Sequence, residues 1–203
     1  MKITFASFKG GVGKSSLALN FAIYLGFDCV TNDIVAIDNS RTKKIPPKLK
    51  RIPLQYCGNR DLILDFGATS TSIDPKLAHA VKMSDLIVIP TLTDTRSLKA
   101  TVDTVNFIQE SGKPIVIIVN NFTDNKKYLK AHAYLQNALT QCPVIYSIRT
   151  TTLFERVALD GEEWLLNVHN QKGEYQLNKT CKTHHQVYDV IASIGRNYAV
   201  TNA

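Results

Sequence analysis

Cysteine is sparse in this chain of 203 residues: four thiols, Cys29, Cys57, Cys142 and Cys181, with no C-x-x-C pair among them. That spacing supports neither a disulfide framework nor a zinc knuckle, so buried free thiols are the expected state. The five histidines include the adjacent pair His184-His185, but no cluster of cysteines or carboxylates accompanies it and no metal site is expected there. No run approaches the roughly 18 consecutive apolar residues of a membrane span. The opening MKITFASF also lacks the long apolar segment and small-residue cleavage site of a signal peptide. A cytoplasmic protein with no membrane partner is the expectation. Repeats, low-complexity tracts and linkers are absent too, and the length suits one α/β domain spanning 1–203.

Negative charge is the other scarcity. Against 17 Asp and Glu stand 24 Lys and Arg, a formal net charge of +7. A basic protein attracts polyanions through a long-range, salt-sensitive field, which makes nucleic acid a candidate partner. A basic rim around a nucleotide site would produce the same excess.

Short β-rich runs alternate with helical patterns, the signature of a parallel sheet wrapped by helices. KITFASF (2–8) reads as the first strand and SSLALNFAIYLG (15–26) as a helix stopped by Gly26. DLILDFG (61–67), DLIVIPT (85–91) and IVIIVNN (115–121) are continuous apolar runs of strand length, as strands buried on both faces require. Between the last two, Leu98, Val102, Val105 and Ile108 recur at helical spacing, which completes a β-α-β crossover. KKYLKAHAYLQNAL (126–139) and TTLFERVALDG (151–161) read as helices and PVIYS (143–147) as a short strand. Val187, Val190, Ile191, Ile194 and Tyr198 mark one face of a last amphipathic helix, expected to dock on the sheet. The stretch 29–60 is the least regular. Within it RTKKIPPKLKR (41–51) carries six basic residues and two prolines, so it should be a surface loop or extended arm.

The densest chemistry sits in FASFKGGVGKSS, Phe5 to Ser16. Gly10, Gly11 and Gly13 let a strand turn sharply into a helix and aim backbone N–H groups at a phosphate, with Val12 between them. Lys14 would reach the β- and γ-phosphates, while Ser15, followed by Ser16 at the helix start, offers a hydroxyl to Mg²⁺. The general pattern G-x-x-x-x-G-K-[ST] is not fully met, because Phe8 holds its first position; what stands here is K-G-G-V-G-K-S, with a second lysine, Lys9, at the front.

That arrangement resembles the deviant Walker-A ATPases of the ParA/MinD family, whose signature is the lysine at the position of Lys9. The resemblance implies a P-loop NTPase-type, mostly parallel sheet with helices on both faces, and ATP and Mg²⁺ as cofactors. It makes DLILDFGA the Walker-B strand, with Asp65 orienting Mg²⁺, and IVIIVNN the strand whose Asn120 helps hold adenine. It further implies an ATP-dependent homodimer in which Lys9 reaches the partner's nucleotide; a lysine confined to its own nucleotide or to a local carboxylate is the plainer alternative. Family members usually carry D-x-D at the end of the second strand to position metal and attacking water. Here only TND, ending at Asp33, and AIDNS, with Asp38, are candidates, and slow turnover is expected.

The length is similar to that of small plasmid-partition members. The implied function is therefore a partition ATPase that binds DNA nonspecifically, associates with the nucleoid and is stimulated by a centromere-binding adaptor protein. The arm 41–51, or Arg149, Arg156, Lys179 and Lys182, could meet DNA phosphates. A MinD-like ATPase positioning a membrane or protein cargo and a metabolic P-loop ligase are the competing classes. The ligase leaves Lys9 without a purpose.

Overall fold

The computed structural model describes residues 1–31, 49–50, 60–67, 75–151 and 175–202, with side chains left undescribed at 49–50 and 175–181. Asp33, Asp38, most of the arm 41–51, Cys57, Arg156 and nearly all of the helix expected over 151–161 lie outside the described residues, as do the side chains of Lys179 and Cys181.

In chain order the elements are β1 (Lys2–Ser7), α1 (Lys14–Leu25), β2 (Asp28–Thr31), β3 (Leu49–Lys50), β4 (Leu62–Gly67) and α2 (Pro75–Met83), then β5 (Leu86–Thr91) and α3 (Thr95–Ile108). A 3-10 turn (Gln109–Ser111) leads into β6 (Ile115–Phe122), followed by α4 (Asn125–Ala138), β7 (Val144–Arg149) and α5 (Tyr175–Thr201). The strands form one seven-stranded sheet, ordered β3-β2-β4-β1-β5-β6-β7, and every pairing is parallel.

Because side chains alternate across a strand, each strand serves two cores. Ile3 and Phe5 of β1, Cys29 of β2 and Ile63 of β4 point to the face covered by α1 and α5, where they meet Leu17, Phe21, Tyr188 and Ile191. Ala6, Val30, Leu62, Leu64 and Phe66 point to the other face and pack with Leu77 of α2, Leu98 and Val105 of α3 and Leu135 of α4. This two-sided burial explains the unbroken apolar runs. Aromatic rings bind the first face: Phe5 and Phe21 meet edge-on at 5.8 Å, and Tyr188 lies 4.9 Å from Phe21.

Several details depart from the sequence reading. The irregular stretch contains β2, and the arm 41–51 contributes β3 as an edge pairing at its end. Among the described residues of α5, His184, Tyr188, Ile191, Ala192 and Gly195 are buried and Val187 and Ile194 pack against the core as expected, whereas Val190 points outward, so the docking face extends to Tyr188 and Ala192 instead of Val190. His185 stacks on Tyr24 at 4.2 Å while His184 turns inward, so the histidine pair is split between two environments. Cys29 is buried, and its burial, with the Asp65 carboxylate nearby, pushes the thiol well up from its ordinary value. Cys142 is exposed, which corrects the expectation of buried thiols: it sits in the turn before β7, outside both core clusters formed by the described residues.

Candidate functional site

β1 ends at the loop that the glycines build. Ser7 ties it off: its hydroxyl accepts from the Lys9 amide at 3.1 Å and donates to the Lys9 carbonyl at 3.2 Å. The Phe8 amide donates to the Thr104 hydroxyl of α3 at 3.1 Å, anchoring the loop to the opposite helix layer. Gly11 and Gly13 then take positive φ of 76° and 83°, in the left-handed region that side chains disfavour. At Gly13 there is also no room, since a methyl group would run into the Asn120 amide.

Gly13 is the N-cap of α1, and its carbonyl accepts from Leu17 N at 3.0 Å. It has no side chain to cap with, and the first turn holds no acidic residue. The amides opening α1 therefore keep their capacity to donate to an anion, and the helix dipole adds partial positive charge. Ser15 is half-buried beside this opening and Ser16 is exposed.

Lys14 forms an ion pair with Asp65 Oδ1. Asp65 is almost completely buried at the end of β4, and its Oδ2 accepts from the Thr31 hydroxyl at 2.8 Å. Parallel register sets this up: Thr31 of β2 and Phe5 of β1 flank Asp65 across the sheet, and alternation puts Thr31 and Asp65 on the α1 face. Gly67 gives Lys14 its path, because a methyl there would press within 3.2 Å of Lys14 Cε. Asp65 sits against Lys14, the neighbour of Ser15 at the helix start, and a carboxylate with a hydroxyl is a hard-oxygen donor set of the kind Mg²⁺ takes, so Ser15 and Asp65 fit that cation by their chemistry.

Asn120 is buried at the end of β6 and donates to the Val12 carbonyl at 3.1 Å, joining the loop to the far half of the sheet. One residue on, Asn121 adopts φ 55° where the β6–β7 register shifts, and its side chain turns outward. Asn120, Asn121, Leu92, Arg149 and Thr151 join Gly11, Val12, Gly13 and Ser16 around a cleft of about 160 Å³. A larger cavity of about 490 Å³ opens on the other side of Arg149, lined by Phe122, Tyr128, Leu129, Thr183 and His184 among others. It contains no loop residue and no opening amides of α1, so of these two the smaller cleft suits a phosphate-bearing ligand.

The structure thus brings together Gly10 through Ser16, Asp65 and Asn120 from the expected set. Lys9 is exposed, and its ammonium donates to the neighbouring Gly10 carbonyl at 3.3 Å. Arg149, expected on a DNA-facing surface, lines the cleft; it donates to Asn125 Oδ1 at 2.5 Å and lies 5.7 Å over the Phe122 ring. Thr31, Leu92, Thr104, Asn121 and Thr151 escaped the sequence reading. For Asn121 the Asn-Asn doublet ending an apolar run was an available signal; for Thr31 and Thr104 there was none, since their partners are distant in sequence.

Comparison with known proteins agrees with this geometry. A family model described as the CobQ/CobB/MinD/ParA nucleotide binding domain matches residues 3–164. No curated protein sequence matches the chain. Among solved structures, a plasmid partition protein of Borrelia burgdorferi B31 bound to AMPPNP is similar, with 18% identity, TM-score 0.61 and coverage of 95% of this chain and 97% of that one. The septum site-determining protein MinD of Pyrococcus horikoshii OT3, complexed with Mg-ADP, shows 14% identity, TM-score 0.64 and coverage of 96% and 98%. A ParA family ATPase of Chlorobium tepidum TLS shows 20% identity, TM-score 0.58 and coverage of 89% and 95%. Among the described residues no helix is long and apolar enough to cross a membrane.

Proposed function

Because the chain belongs to the CobQ/CobB/MinD/ParA family of nucleotide-binding domains, we propose that it is an ATPase of the DNA-partition type, a single domain that dimerises on ATP. The observation that carries the reading is the pairing of Lys14 with Asp65 at the uncapped start of α1. It places a lysine ammonium and a buried carboxylate in direct contact beside amides that can receive a phosphate.

The roles follow from that arrangement. The amides of Gly10 to Ser15 cradle the phosphates. Lys14 exchanges Asp65 for the β- and γ-phosphates, where its charge counters the negative charge that builds during transfer. Ser15 and Asp65 would hold Mg²⁺, which would supply charge neutralisation to the phosphates when bound. Asn120, already fixed to the loop, uses its remaining amide capacity on the base. Asp38 or Asp33 orients the attacking water; β2 ends at Thr31, two residues before Asp33. Lys9, exposed in the single chain, is free to reach a nucleotide on a second copy, so that hydrolysis depends on assembly.

Nonspecific DNA binding by the dimer, and release stimulated by a centromere-binding adaptor, draw support from the +7 charge and from the partition protein among the structural relatives. The test is binding to random-sequence duplex DNA with no nucleotide, ADP or a slowly hydrolysed ATP analogue, across a salt series, while the oligomeric state is followed. Binding confined to the ATP form, coincident with dimerisation and falling steeply with salt, is the expected result. A protein that dimerises on ATP and ignores DNA overturns the DNA role and favours a membrane or protein cargo. Lys9→Ala should keep nucleotide affinity within roughly threefold, since it contributes no direct contact to its own site, yet lose the ATP-dependent dimer.

A further inference from the structure

We infer that Thr31 is a positioning residue for the site's buried carboxylate, holding Asp65 while its other oxygen changes partner. The inference rests on the nucleotide reading above. The two oxygens of Asp65 have different kinds of partner: Oδ1 takes the Lys14 ammonium, and Oδ2 takes the Thr31 hydroxyl at 2.8 Å. Only the first must be given up when the lysine turns to a phosphate. A carboxylate that is 1% exposed cannot fall back on water when its ion pair breaks, so an unheld Asp65 would either rotate or tilt Oδ1 away from the position a cation needs.

Thr31 removes both difficulties. Its hydroxyl is a neutral donor, so it does not compete with a cation for Oδ1, and a bond to a charged acceptor is stronger than a neutral one. It is fixed in turn: the residue is only 6% exposed, belongs to a strand, and stands opposite Asp65 in the β2–β4 register. Its β-branched side chain has few rotamers to lose. The carboxylate plane is thereby set before any ligand arrives, and Oδ1 is left on the Lys14 side.

The test compares the wild type with Thr31→Val, which keeps the shape and removes the donor, and Thr31→Ser, which keeps the donor. Affinity for a fluorescent ADP analogue is measured with MgCl₂ and with EDTA. The expected result is that Thr31→Val loses roughly tenfold of the Mg²⁺-dependent gain, stays within about twofold of wild type in EDTA, and is largely rescued by serine. If Thr31→Val fails to fold, Thr31→Ala serves in its place. An undiminished Mg²⁺ gain in the valine protein overturns the inference. Equal losses with and without the metal also overturn it, because they mark a role in stability alone, and so does a serine variant as impaired as valine. A wild type that binds nucleotide without any Mg²⁺ gain overturns the metal assignment itself, an outcome distinct from a failure confined to Thr31.

Discussion

The start of α1 and the starts of α3 and α4 meet the same requirement in opposite ways. Each helix opens with amides that have no partner inside the helix. At α3 the Asp94 carboxylate accepts from Ser97 N at 3.0 Å and from the Ser97 hydroxyl at 2.6 Å; at α4 Asp124 accepts from Lys126 N at 2.8 Å. At α1 the corresponding position is Gly13, with no capping atom and a backbone that few other residues tolerate. An aspartate cap is worth about 1 kcal/mol to a helix, so its omission at α1 leaves stability unclaimed at a helix start that faces the cleft. A negative ligand supplies the cap instead, and folding and binding are coupled there.

That contrast can be broken from either side. The largest effect is expected from Lys14→Ala. Nucleotide affinity should fall at least about 100-fold in equilibrium binding, as two charge-assisted contacts disappear. The ligand-free protein should also lose about 3 kcal/mol in denaturant unfolding, because Asp65 stays buried without its ion pair. Unchanged ligand-free stability would show that the pair contributes nothing before nucleotide arrives.

Next in size is Gly13→Ala. The added methyl must move the Asn120 amide and hold φ near 83°, at a cost of roughly 1–3 kcal/mol. Affinity should drop more than stability, since the loop and Asn120 are displaced together; equal losses in both would mean the opening tolerates rearrangement.

The smallest effect is expected at the capped side. Asp94→Ala should cost about 1 kcal/mol and leave nucleotide affinity unaltered. The Ser97 hydroxyl and amide bonds hold the Asp94 carboxyl below its ordinary value. The folded-state pKa is thus depressed, so its contribution is fully present above the usual aspartate range and disappears as pH falls through the folded value. Melting temperatures of wild type and Asp94→Ala should differ at neutral pH and converge under acid. A constant gap would assign the stabilisation to packing.

What the sequence revealed and what it hid divide along physical lines. β4, β5 and β6 were legible because burial on both faces writes itself as an apolar run, and the loop because Gly11, Gly13 and Lys14 are chemically constrained together. β2 was not, being four residues long with Asp28 at its head and Thr31 at its tail. Thr31 serves a carboxylate 34 positions away through strand register, a relation no local pattern encodes. On α5 the inward place of Tyr188 and outward place of Val190 depend on where Phe21 already stands. Arg149 is exposed, as a surface charge should be, but its place at the cleft was hidden because its neighbours Asn125 and Phe122 belong to a different helix and strand.

β1, the strand that delivers the phosphate loop, lies mid-sheet, with β4 and β5 on its two sides and register partners as far apart as Ile3 and Leu86. On a ribosome its hydrogen-bonding edges must therefore wait until those later strands have been synthesised. The aromatic face around Phe5 and Phe21 waits longer, for Tyr188 and Ile191 of α5. Pairings so distant in sequence form slowly and leave apolar edges open meanwhile. β1 is therefore made before the strands and the helix that enclose it, and it is among the last of these strands to be covered on every side.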